Sequence, residues 1–338
     1  MKMIEINGSF GEGGGQILRT SVALSALTGK PFKIFNIRAK RKNPGLRPQH
    51  LNAIKAVAEL CNAEVSNLEV GTKELTFVPK EIKPKTLNID VGTAGAVTLI
   101  LHALLPAALD AEKQIKIRIC GGTNNPMAPP IDNLLLVFIP ILNRFGAQIE
   151  CKLVRRGYYP KGGGEIFAII KPSKLNEINL IERGELNKIC GVANSSLQLK
   201  KANVAEREAK GAVRKLKDLN VPIEIKKEYC NTLSIGTSIS LCAEFENSLI
   251  GADAFGEIGK PAEKVGEEAA NKLLKEIKSN ACVDKHLADQ LIPYMGLWGG
   301  KIKTSEITQH TKTNIWVTEK FLPVKFEIKE GVISCKKL

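Results

Sequence analysis

Residues 3–39 read MIEINGSFGEGGGQILRTSVALSALTGKPFKIFNIRA, and the order of textures in this stretch decides the fold. A short apolar strand, MIEI, runs into the glycine-rich turn GEGGG. An apolar helix, QILRTSVALSALTG, follows, and PFKIFNIRA is the next strand. Gly29, with Pro31 just beyond it, is a helix stop. A second helix, PQHLNAIKAVAELCNA, begins near Pro48. The theme returns as LNIDVGTAGAVTLILHALLPAAL and the strand IKIRIC. It continues through GGTNNPMAPPIDNLLLVFIPILNRFGAQI to strands around CKLVRRG and EIFAIIKP. Two ααββ units of about 80 residues are thus predicted, with a third near the C-terminus.

From 182 to 279 the texture changes. NKICGVANSS, VPIEIKKEY, NTLSIGTSISLCAEF and LIGADAF read as strands. NVAEREAKGAVRKLKDL is an amphipathic helix and PAEKVGEEAANKLLKEIKS a long charged one. The glycine and apolar theme resumes at 280–325 with HLADQLIPYMGLWGGKI and a predicted strand pair around HTKTNIWVTEKFL. The chain therefore reads as an α+β protein. Residues 1–181 plus 280–338 form a large domain of repeated units, and 182–279 an inserted small α/β domain.

The chemistry concentrates in GEGGGQILRT (11–20) and RAKRKNPGLRPQHL (38–51). A glycine-rich turn opening a helix offers backbone N–H groups and a positive dipole end to an anion. Glu12 is the one carboxylate there, and Gln16 and Arg19 lie on the helix's first turns. Arg38, Lys40, Arg41, Lys42 and Arg47 follow, then Gln49 and His50; guanidinium forks bind phosphate oxygens bidentately. Neither half is decisive alone, since many glycine turns bind nothing and a basic run is usually a solvated face. Pro44, Gly45 and Pro48 make this run a shaped loop. No GxxxxGK[ST] is present, and the glycines do not fall as a dinucleotide fingerprint.

With 338 residues, 43% of them hydrophobic, the chain can bury two cores. Its net charge of +14 points to a polyanionic partner, RNA or DNA before a membrane. Aromatics at 5% argue against a broad base-stacking platform. Eight cysteines are widely spaced without a CxxC pair and read as small buried hydrophobes, not as a zinc site. Neither a signal core nor a run of 18 uncharged apolar residues occurs, so a soluble, cytoplasmic protein without membrane contact is expected.

Four histidines lie in stretches already singled out. His102, inside an apolar helix, reads first as a satisfied core residue. His310, at the start of the predicted strand and flanked by Thr308, Gln309, Thr311 and Lys312, reads as a partly exposed nucleophile or base. The usual hydrolase signatures are missing.

GEGGGQILRT, RAKRKNPGLRPQHL, GGTNNPMAPP, YYPKGGGE, HLADQLIPYM and HTKTNI, in this order and over essentially the whole chain, resemble the RNA 3′-terminal phosphate cyclase family. The resemblance implies a large domain of ααββ units like the C-terminal domain of translation initiation factor 3, related to enolpyruvyl transferases. It also implies a thioredoxin-like insertion. It further implies ATP as co-substrate, with His310 attacking the α-phosphorus to form a covalent histidine–AMP. The adenylate passes to an RNA 3′-phosphate, and the vicinal 2′-hydroxyl then closes a 2′,3′-cyclic phosphate. Glu12 would help hold Mg²⁺ or Mn²⁺; Arg19, Arg38, Arg41, Gln49 and His50 would hold triphosphate or the RNA end. His102, Pro129, Pro130, His286, Leu287, Ala288, Asp289 and Gln290 would line the nucleotide site. His102 stands where bacterial members carry glutamine, and His286 where they carry tyrosine. A family branch of ribosome-biogenesis proteins shares the fold without the catalysis and lacks the histidine present here at 310. An enolpyruvyl transferase would need twice as many repeats and a different anion site.

Overall fold

The computed structural model describes residues 2–338. In the first unit, β1 (Ile4–Asn7), α1 (Gly15–Thr28), β2 (Phe32–Phe35), α2 (Pro48–Cys61), β3 (Glu64–Val65) and β4 (Leu75–Val78) build a sheet in the order β1-β2-β4-β3. The second contains β5 (Thr86–Asp90), α3 (Val97–Leu109), β6 (Ile115–Gly121), α4 (Ile131–Asn133), a π-helical turn (Leu134–Phe138), α5 (Ile139–Arg144), β7 (Gln148–Arg155) and β8 (Gly164–Lys171). Its order, β5-β6-β8-β7, is the same.

A third unit opens with β9 (Ile178–Leu180) and is then interrupted. The interruption contains β10 (Leu186–Ser196), α6 (Val204–Leu216), β11 (Ile223–Cys230), β12 (Thr237–Phe245), β13 (Leu249–Phe255) and α7 (Ala262–Lys278). The unit resumes with α8 (Lys285–Trp298), β14 (Gly300–Lys303), α9 (Gln309–Phe321), β15 (Val324–Lys329) and β16 (Val332–Lys337), in the order β15-β16-β14-β9. In every unit the first two strands run parallel and the other two pairings are antiparallel. The repeated object is therefore βαβαββ.

Alternate burial along β6 and β8 sends one sheet face to the core, as a period of two requires. α3 is apolar on all sides because it lies between α1 and α2 and above its own sheet. One continuous hydrophobic cluster joins the three units. The interrupting sheet, β11-β10-β12-β13, packs under α6 and α7 with a core of its own around Ile189, Leu241 and Leu273. The eight cysteines are unbonded. Among the described residues no helix is long and apolar enough to cross a membrane.

Two local expectations are corrected. PFKIFNIRA is a strand only to Phe35, because Asn36 and Arg38 turn into left-handed φ of 54° and 52°. HTKTNIWVTEKFL is not a strand pair: Gln309–Phe321 is a helix. Its β-branched residues suggested a strand, but Thr308 caps the helix by accepting from Thr311 N. Thr313, Asn314, Val317 and Phe321 are then buried at helical spacing, so packing overrides propensity.

Candidate active site

α1 starts at Gly15 without a side chain closing its end, so its first-turn N–H groups are open to an anion. Gly15 is required here: a Cβ would come within 2.1 Å of His50 Nε2. His50 Nδ1 accepts from Arg47 N at 3.1 Å, which leaves the proton of the neutral ring on Nε2, against the start of α1. Burial, then the charges of Arg19, Arg38 and Arg47, push His50 down to about 3. Arg38 closes its own loop, with Nη1 donating to the carbonyls of Asn43 and Gly45 at 2.5 and 3.1 Å. Gln49 is exposed and faces Gly95 of the second unit instead of the cavity.

Three residues distant in sequence meet beside this helix end. Glu12 Oε2 accepts from Arg41 Nη2 at 3.2 Å and pairs with His310 Nε2 at 3.0 Å. A carboxylate can only accept, so Nε2 carries a proton in this arrangement. Gln16 Nε2 donates to the His310 carbonyl at 3.1 Å and Thr20 Oγ1 to Asn314 Oδ1 at 2.8 Å, fixing α9 against α1. Asn314 Nδ2 in turn donates to the Asp289 carbonyl at 2.7 Å, tying in α8.

Next to His310 opens a cavity of about 610 Å³. Arg19, His102, Pro129, Pro130, His286, Asp289 and Gln290 all line it. Leu287 and Ala288 do not: they are buried in the core. Five consecutive helical residues cannot share one face, and on α8 positions 286, 289, 290 and 293 turn to the cavity. Five polar atoms of the lining are buried without a partner: His102 Nε2, Gln290 Oε1, Tyr294 Oη, Asp253 Oδ1 and Glu276 Oε2. Unpaired buried polar groups are costly, and a bound ligand satisfies them.

The charges fit an anion with a polar base. Burial lowers Arg19 to about 10 against the opposing pull of Asp289, so it stays charged at neutral pH. Burial, with the nearby Arg19 charge, keeps His102 neutral at about 3. Asp289 is raised to about 8 by burial and by Asp284, with Arg19 opposing. His286 is lowered, chiefly by its enclosed position, with Asp284 opposing.

The sequence reading missed the far wall. Gly251, Asp253, Lys272, Lys275 and Glu276 come from β13 and α7. Asp284 joins the two sides, accepting from His286 N and Leu287 N at the start of α8 and from Gly251 N of β13. An aspartate just before KHLADQ was a capping signal; the residues of β13 and α7 carried none. Among the described residues, no group of three His, Cys, Asp or Glu side chains is placed to hold a metal ion.

The family model for RNA 3′-terminal phosphate cyclase matches residues 10–328. A Pyrococcus furiosus protein of that name is 52% identical over 331 residues, 98% of this chain and 96% of its own length. Proteins of the same name from Pyrococcus abyssi and Ignicoccus hospitalis are 48% and 50% identical, covering 96% and 95% of this chain and 95% and 93% of their own. Matched over nearly its full length by one family model and by relatives about half identical to it, the chain belongs to the RNA 3′-terminal phosphate cyclase family.

Proposed function

We propose that the protein converts an RNA 3′-terminal phosphate to a 2′,3′-cyclic phosphodiester at the expense of ATP, with the non-catalytic family branch as the alternative. The observation that carries this reading is His310, whose Nε2 stands at 3.0 Å from Glu12 between an uncapped helix start and the partnerless polar lining of the cavity.

In the proposed sequence the His310 ring attacks the α-phosphorus of ATP. A P–N bond forms, the P–O bond to pyrophosphate breaks, and one difficult condensation is divided into easier steps. An oxygen of the RNA 3′-phosphate then attacks that phosphorus and frees the imidazole. Finally the 2′-hydroxyl oxygen attacks the terminal RNA phosphorus, AMP leaves, and the hydroxyl proton goes to solvent. Attack through Nε2 requires its lone pair to be free, so its proton passes to the Glu12 carboxylate while Nδ1 takes one up from solvent; Arg41 already holds the same oxygen and keeps the carboxylate placed. Arg19, the His50 Nε2–H and the open N–H groups of α1 would hold the phosphates and stabilise charge in each transfer. His102, Gln290 and Tyr294 would satisfy the base, with Pro129 and Pro130 as its apolar wall.

A lone exposed carboxylate fits Mg²⁺ in part, because that ion is held by one or two carboxylates plus substrate phosphates and water. Glu12 would be the protein's ligand, and the ion would neutralise phosphate charge. Residues 182–279 would act as an inserted domain that closes the nucleotide cavity.

The test is product analysis. A 3′-phosphate oligoribonucleotide incubated with ATP should become resistant to phosphatase with release of AMP and pyrophosphate. An RNA that is bound but left with a phosphatase-sensitive end would place the protein in the non-catalytic branch.

A further inference from the structure

Phe10, Gly11 and Glu12 lie antiparallel along α9 and meet it once per turn. Glu12 pairs with His310. A Cβ on Gly11 would stand 2.6 Å from Thr313 Oγ1. Phe10 stacks on Trp316 with ring centroids 4.2 Å apart and planes inclined by 11°. The contacts advance six residues, so the aromatic pair sits about 9 Å along the helix axis from His310.

Phe10 is 39% exposed although Trp316 covers one face of its ring, which leaves the other face to solvent. Lys312, Trp316 and Lys320 recur every fourth residue and share one side of α9. The Lys320 ammonium lies over the indole, 5.6 Å from its centroid. Lys312 and Lys320 are exposed, and among the described residues neither has a salt-bridge partner. Lys40 Nζ donates to the Gly11 carbonyl at 3.1 Å and adds a third cation nearby. Core packing accounts for Trp316, which rests on the central cluster. It does not account for an open aromatic face between unpaired lysines.

We infer that Phe10 on Trp316 is a base-stacking step for the RNA strand, taking one of the last nucleotides before the reacting end, while Lys312 and Lys320 take backbone phosphates. The inference rests on the function proposed above. An exposed ring face accepts any base, and cations spaced along one helix face follow a phosphate chain. One two-ring step, not a broad platform, agrees with the low aromatic content.

The test compares cyclisation of a short 3′-phosphate oligoribonucleotide with the same strand made abasic at each of the positions nearest its end. The wild type should lose roughly five- to 100-fold in kcat/KM at one position. Phe10→Leu should lose a similar factor on the intact strand and nothing further on that abasic one, and Phe10→Tyr should restore the difference. Lys312→Ala and Lys320→Ala should each reduce the slope of log binding constant against log salt by about 0.7. A full abasic penalty retained in Phe10→Leu overturns the stack. So does an equal defect of Phe10→Leu and Phe10→Tyr on every strand, which marks a ring that only supports the glycine loop. Should Phe10→Leu fail to fold, unchanged salt slopes in both lysine variants overturn the inference on their own. A wild type that forms its adenylate yet cyclises neither strand defeats the proposed function, and this inference with it.

Discussion

His102 holds a ring nitrogen that no protein atom satisfies, buried and facing the cavity beside Phe138. Such an atom weakens the empty protein and strengthens the filled one. His102→Leu should therefore leave the ligand-free protein as stable or more so, by up to about 1–3 kcal/mol. The same change should raise the KM for ATP several-fold. Thermal unfolding with and without ATP checks both signs; a variant that is less stable alone but binds ATP normally would return His102 to the core. At this scale the sequence was legible where chemistry is unusual. Glu12, Arg41 and His310 stood out by type and motif, and they do meet. It was not legible where a motif is continuous but a helix is not flat: within HLADQ, Leu287 and Ala288 point inward. Gln49 and Arg38 show the same limit, since a basic loop lists its side chains without saying which one closes the loop.

Among the elements, α9 shows why a short segment can mislead. Thr, Ile, Trp and Val crowd residues 311–318, and only the Thr308 cap and the burial of one face make them helical. α6 carries a different tension. Glu208 is fully buried, with Oε1 accepting from Thr237 Oγ1 at 2.8 Å and Oε2 unpartnered. Burial raises its carboxyl to about 8, the Thr237 bond opposing. The folded form thus holds a proton that the unfolded chain releases above its ordinary value. The stability from this group is complete below that value and is lost as pH rises through about 8. The urea midpoint of the wild type should fall between about pH 5 and about pH 8.5, and Glu208→Gln should remove part of that fall. Equal falls in the two proteins would show that Glu208 does not titrate in this range.

Across the whole molecule, three units of one design surround the site, and the interruption falls in the third unit's first strand-to-helix connection. In the first unit that same connection is the glycine turn of Glu12. The sequence showed two units plainly and the third only in part. β9 has three residues, too few for any period, and its unit resumes only at Lys285. The seam between the second unit and the interrupting sheet is polar and buried. Arg156 is bidentate to Asp132 at 2.7 Å and reaches Glu228 of β11 at 2.8 Å, while Asn194 of β10 donates to Asp132. Those carboxylates hold Arg156 well above its usual range despite burial. Arg156→Met would leave the buried Asp132 without its counter-charge, whereas Glu228 keeps Lys226, and should cost about 3–5 kcal/mol, measured by urea unfolding. A loss below about 1 kcal/mol would mean that water replaces the guanidinium. The histidine adenylate is itself open to measurement. The protein is incubated with ATP and Mg²⁺ without RNA, digested under mildly alkaline conditions, and its peptides searched for added AMP. AMP is expected on the peptide containing His310, released by acid and absent from His310→Asn. AMP carried by a lysine peptide, or an unmodified His310 peptide in a protein that still cyclises RNA, would contradict it.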